Sequence, residues 1–228
     1  HEAFAQNYRG GILLNEMKLD AAQSAYVQAL SRFRAIGYRQ GEGKTVSEMA
    51  LLALMMGDHA QGHRHAADAL EIVKQIGIQR DQAYALTRLG YALEGMGNLT
   101  AAAEVYEQAL AIYHATNQRS RGLEPAAGLA RIAYAQDDHT GALARVESIS
   151  AAVQQRALDA TIEAEWVYLS CIQISHATDD TTPVAALTLA NQLYDERCAM
   201  LGENGDPISL KTQLHTFCNA FATPLALE

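Results

Sequence analysis

Apolar and small residues recur along this chain at spacings of three and four, which predicts amphipathic helices from end to end and no strands. Short breaks interrupt the pattern at Met17-Lys18, Gly57-Asp58, Gly97-Asn98 and Asp137-Asp138, and again at Ile36-Gly37, Ile76-Gly77 and Thr116-Asn117. The predicted helices are therefore 2–16, 19–36, 42–56, 58–76, 82–96, 99–115, 122–136 and 139–154. Gly or Asn after each second helix suits a left-handed C-cap, Asp58 and Asn98 suit N-caps, and Pro125 falls in the first turn of its helix, where a missing N–H does no harm.

Sliding the sequence along itself until Gly10 meets Ala50 also brings Gly90 and Ala130 into line, and likewise Ala22, Gly62, Ala102 and Ala142. Tyr26, Ala66, Tyr106 and Val146 fall in a third register, and Ala29, Ala69, Ala109 and Ile149 in a fourth. Small residues at fixed positions in both helices of a hairpin let two backbones approach closely. In the hairpin Gln82–Tyr113, Leu89-Gly90 with Leu93, then Ala102, Tyr106 and Ala109, resembles the tetratricopeptide repeat, with Leu93 where that pattern has Tyr. A repeat of this length also suits HEAT or armadillo units, but those lack this small-residue code.

The expected fold is all-α: a right-handed α-α superhelix, or tetratricopeptide-like solenoid, forming one domain over 1–228. Its repeats are approximately 1–40, 41–80, 81–120, 121–156 and 157–203, the last degenerate, with a capping helix at 206–222 that starts at Asp206-Pro207. The array also resembles the C-terminal repeats of MalT-like transcriptional activators and related STAND-type ATPases, through Arg156 to Asp159, Trp166 to Leu169, Ala185 to Leu187 and Leu193-Tyr194. That resemblance implies a sensing or partner-binding arm of a larger bacterial regulator. It does not carry ATP binding with it, because no nucleotide-binding domain is present in these residues.

Composition narrows the function. A net charge of −9 and a pI near 5.3 argue against direct nucleic-acid contact, which needs surplus Lys and Arg. No apolar run is long enough to span a membrane, no signal peptide is recognisable, and Cys171, Cys198 and Cys218 fit neither a disulfide framework nor a zinc site. The expectation is a cytoplasmic piece of a longer protein, with a possible homo-oligomeric state.

Candidate chemistry is sparse. Gly41-Glu42-Gly43-Lys44-Thr45 resembles the end of a phosphate-binding loop, but Tyr38 stands where that motif needs Gly and a helix precedes it. It is read as a turn into the next helix. His59, His63 and His65 beside Asp58 make the densest His group, without the Cys or acidic ligands to complete a metal set, and are read as a solvated face. No catalytic constellation, metal or cofactor is predicted. Asn98-Leu99-Thr100 is a glycosylation sequon placed on a hairpin turn, and Trp166 and Tyr168 are read as packing residues.

What remains is the face formed by the first helix of each hairpin, expected to line a concave groove. Register places Asn7, Lys44, Ser47, Leu51, Tyr84, Thr87, Arg88, Tyr91, Glu94, Glu124, Arg131 and Tyr134 there. Tyr mixed with Arg, Asn and Lys suits an extended peptide or helix, since flat apolar area alternates with hydrogen-bond donors. Asn7, Lys44 and Arg88 do not complete the carboxylate clamp of some tetratricopeptide domains. Arg39, Arg80, Arg119 and Arg121 recur in the links and form a second candidate strip, or else balance local charge. The expected function is a non-catalytic protein- or peptide-binding scaffold; the alternative is a small-molecule or signal-peptide sensor whose superhelix closes around its ligand.

Overall fold

A computed structural model describes residues 1–154 together with Val167, Ser170, Cys171 and Ile174. Among these residues all regular structure is helical: α1 Glu2–Asn15, α2 Leu19–Ala35, α3 Arg39–Met55, α4 His59–Ile76, α5 Gln79–Gly95, α6 Leu99–Ala115, α7 Leu123–Ala135 and α8 His139–Gln154. A short 3-10 turn, Arg119–Gly122, leads into α7. The four later residues are helical as well. The fifth hairpin's remaining residues, the capping helix, Trp166 and Tyr168 lie outside the described residues.

Every break between these helices is built on one residue in the left-handed region: Met17 (φ 57°), Gly37 (67°), Gly57 (79°), Gly77 (78°), Gly97 (77°), Asn117 (55°) and Asp137 (62°). The interval between successive members of this series never varies. Most close with paired backbone bonds that satisfy the last carbonyls of the helix, as in Gly57 N to Leu54 O (2.9 Å) and Asp58 N to Ala53 O (2.9 Å). The turn within a hairpin and the link between hairpins are thus the same device. This is tighter than the sequence reading, which starts the third and fifth helices at 42 and 82. After the left-handed Gly37 a single residue, Tyr38 (φ −85°, ψ 81°), reverses the chain, and α3 begins at Arg39. Asp58 caps α4 by accepting from Gln61 N at 2.8 Å, and Asp138 caps α8 through Gly141 N at 2.9 Å.

The described residues fall into two compact units, His1–Ile112 and the residues from Tyr113 onward. In the first, every register position is buried: Gly10, Ala50 and Gly90 on the first helices, and Ala22, Gly62, Ala102, Tyr26, Ala66, Tyr106, Ala29, Ala69 and Ala109 on the second. Where the second helix carries Tyr, the first carries Gly. A Cβ on Gly10 would stand 2.5 Å from Tyr26 Cε1, and one on Gly90 would stand 2.5 Å from Tyr106 Cδ1. Where the second helix carries Ala66, the first can hold Ala50. Hairpin packing is therefore volume-matched.

The first unit also joins α2 to α3 through an ion cluster. Glu42, on a buried turn of α3, accepts from Arg34 Nε at 2.9 Å and Arg39 Nη1 at 2.6 Å. In the second unit the core comprises Leu123, Ala127 and Ala130 of α7, Ala142, Val146 and Ile149 of α8, and Val167, Cys171 and Ile174. Here Ala130 and Val146 occupy the matched positions.

Candidate functional site

The first helices of the first unit lie side by side, α1 against α3 and α3 against α5. Side chains tie them together. Thr45 Oγ1 donates to Asn7 Oδ1 at 2.9 Å, Gln40 Nε2 donates to Asp81 Oδ2 at 2.9 Å, and the Tyr84 hydroxyl donates to Glu48 Oε1 at 3.1 Å. Half-buried bonds of this kind each contribute about 1 kcal/mol and fix the lateral register of adjacent helices.

On α5 the predicted residues form a closed cluster. Arg88 is 0% exposed; its Nη2 donates to the Tyr84 hydroxyl at 2.9 Å, and its guanidinium lies 4.5 Å from the Tyr84 ring centroid and 5.5 Å from that of Tyr91. Desolvated cation–π contacts are worth about 2 kcal/mol, enough to matter for a charge with no access to water. Tyr91 meets Tyr106 edge to face at 5.9 Å, and the Tyr106 hydroxyl donates to Glu94 Oε2 at 2.8 Å. Tyr84, Thr87, Arg88, Tyr91 and Glu94 are all buried, and Ser47 is buried on α3. Thr87 bonds its own helix at Ala83 O, 2.9 Å. These residues build the wall of the face. Lys44 is exposed and Asn7 and Glu48 are half-buried, so these form its accessible part.

The sequence reading misses two contributors. Phe4 and Tyr8 on α1 fall in register with Lys44 and Tyr84, and with Glu48 and Arg88, and they are 45% and 70% exposed. The repeat register identifies both, whereas aromatics at helical spacing read as core. Phe4 packs edge to face on Phe33 (5.1 Å) and against Tyr38 (5.5 Å), so an aromatic cluster borders Lys44's helix.

In the second unit Arg131 is buried and its Nη1 donates to Ser170 Oγ at 2.7 Å; Tyr134 is half-buried with its ring 4.9 Å from that of His139. Burial pushes the Cys171 thiol up to about 12, against the opposing pull of Arg131.

Other readings change. Gly41 to Thr45 is not a turn but lies inside α3, where the glycines serve packing: a Cβ on Gly41 would meet Phe33 Cδ1 at 2.6 Å and one on Gly43 would meet Val73 Cγ1 at 2.8 Å. His59, His63 and His65 are half-buried, not a fully solvated face, with the His59 ring against Gly95. Burial holds His65 below the ordinary histidine range, with Asp68 pulling the other way, and its Nε2 lies 3.2 Å from Gln61 Nε2. Among the described residues no three metal-ligating side chains converge. Arg39 and Arg80 do not form a free strip: Arg39 pairs with Glu42 at 2.6 Å and Arg80 with Asp81 at 3.2 Å. No helix among the described residues is long and apolar enough to cross a membrane.

No protein-family model matches the chain, and no curated protein matches it. Solved structures do. A Rap protein complexed with Competence and Sporulation Factor is similar with a TM-score of 0.71 at 13% identity, over 96% of this chain and 61% of the Rap chain. BtubC from P. vanneervenii matches at 0.61 and 18% identity, over 87% and 80% of the two chains. A putative kinesin light chain from Podosopora anserina, with nearly identical TPR-like repeats, matches at 0.57 and 15% identity, over 95% and 96%. The chain thus spans about 61% of the Rap protein's length. At these identities the likeness is one of fold, and the fold is tetratricopeptide-like.

Proposed function

We propose that this chain is a non-catalytic binding module that takes an extended peptide or protein segment along its first-helix face. The observation that carries this reading is the row of hydrogen-bonded first helices α1, α3 and α5 that offers Phe4, Tyr8, Asn7 and Lys44 at its surface over a wall of buried Tyr84, Arg88 and Tyr91. A rigid wall lowers the ordering cost of binding, and exposed aromatics beside a cation supply anchors. The similarly folded Rap conjugation gene regulator of the plasmid pLS20, solved in complex with the Phr* peptide, supports a peptide as occupant. The module would serve as the scaffold or sensing arm of a cytoplasmic, MalT-like or STAND-type regulator, without contacting nucleic acid itself.

The test is selection of peptides from a displayed library on the intact chain, followed by affinity measurement on Tyr8→Ser and Lys44→Glu variants. Both residues are exposed, so folding is retained and checked by circular dichroism. Each variant is expected to weaken binding by about tenfold, the loss of one interface anchor. Val27→Ser, at an exposed position of α2, is expected to leave it unchanged. Equal affinity across all variants would remove the first-helix face as the site.

A further inference from the structure

The repeat register shows which side of each first helix meets the hairpin before it. On α3 this side carries Gly41, Thr45 and Leu52. Gly41 sits under Phe33 of α2, Thr45 bonds Asn7 of α1, and Leu52 is 2% exposed. On α5 it carries Asp81, Ala85 and Ala92: Asp81 accepts from Gln40 of α3, and Ala85 and Ala92 are each 0% exposed. The same positions at α1 are its N-cap His1, then Ala5 and Ile12, and all three are exposed, Ile12 at 58%. Arg9, in register with half-buried Met49 and Leu89, is exposed too.

We propose that this side of α1 is a stacking surface for one further helical hairpin of the same register, joined to α1 through the same left-handed turn that joins every other pair of described helices. Continuity with the interfaces already present in the first unit chooses this occupant. The surface differs from those interfaces in lacking a cover, not in its residue positions, and the turns recur at one fixed interval from Asp137 back to Met17. The hairpin that fits presents an apolar side chain at the Phe33/Val73 position of its second helix. That side chain would rest on His1 and Ala5 as Phe33 rests on Gly41. This surface belongs to α1 alone and does not depend on the peptide reading of the first-helix face.

The test places a second copy of residues 41–80 directly before His1 of the intact chain, which continues the register, and follows α1 by hydrogen exchange. Added helical ellipticity and α1 exchange slowed by about tenfold or more are expected, since a covered helix opens less often. Ile12→Asp should abolish the slowing in the extended chain and leave α1 exchange in the original chain within about twofold, because Ile12 is exposed there. An added segment that stays unfolded, or that folds without slowing α1 exchange, overturns the proposal. So does sedimentation of the original chain as a dimer that Ile12→Asp dissociates, because the cover would then be a second copy.

Discussion

The α-carbon of Gly90 faces the ring of Tyr106 so closely that a single added carbon would lie 2.5 Å from Tyr106 Cδ1. Alanine ordinarily improves a helix over glycine by about 1 kcal/mol. Here the overpacking term is larger, about 1–3 kcal/mol, because Tyr106 is fully buried with its hydroxyl held by Glu94 and cannot retreat. Gly90→Ala is therefore expected to lower stability in urea unfolding. In a Tyr106→Ala background, which recreates the Ala50–Ala66 pairing, the same change should be neutral or stabilising. A coupling of at least about 1 kcal/mol between the two sites is the expected result; strictly additive effects would show that volume matching does not govern hairpin packing.

Acid should destabilise the first unit in two separable stages. Burial lowers the pKa of His65 below its ordinary 6.5, so the unfolded chain takes up that proton first. Stability then declines as pH falls from above 6.5 through the folded-state value. Burial pulls the Glu42 carboxyl upward, but hydrogen bonds from Arg34 and Arg39 outweigh it and leave its pKa below 4.5. Its contribution is complete above 4.5 and lost as pH falls through the lowered value. Thermal midpoints of His65→Gln should lack the upper slope and keep the lower one. Those of Glu42→Gln should start lower at neutral pH and fall less steeply in acid. A His65→Gln profile parallel to that of the parent chain would contradict the first assignment.

Cys171 should be chemically silent in the folded chain. The residue is 7% exposed and its thiol is held near 12, so thiolate is scarce and shielded. Iodoacetamide treatment at mildly alkaline pH, followed by peptide-resolved mass spectrometry, should leave Cys171 unmodified until urea is added. Ready alkylation under native conditions would mean that the core around Val146, Val167 and Ile174 opens far more often than its packing implies.

Sequence periodicity was sufficient for the fold because small-residue registers are a direct imprint of helix–helix approach. Gly10, Gly62, Ala102 and Ala142 are buried where the repeat register places them. The helix starts at Arg39 and Gln79 were not legible, since Arg, Gln and Asp after a Gly read as loop. The first turn of α3 is supported by Glu42 pairing with Arg39, and that of α5 by Asp81 accepting from Gln40. The candidate site was half legible. Lys44 is exposed and Asn7 half-buried. Arg88 and Glu94 enter the groove reading by repeat register, and register does not reveal that the Tyr84 and Tyr106 hydroxyls stand ready to receive them. Conversely, Phe4 and Tyr8 look like core in sequence, and they remain at the surface because no described helix covers them.

The uniform turn spacing carries a consequence for how such a chain can change length. A deletion running from one turn position to the next, such as Gly57 to Gly77, would preserve every reversal of the backbone yet give each later helix the role of its neighbour. Gly90 would then stand where the array carries Leu70, and Leu86 where it carries Ala66, so the mating surfaces would no longer match. A deletion running across two such intervals, such as Gly37 to Gly77, preserves both reversal and role. Tandem duplication and loss in this architecture should therefore be tolerated in whole hairpins and rejected in single helices: the reading frame of the fold is two helices wide, although its punctuation repeats at every one.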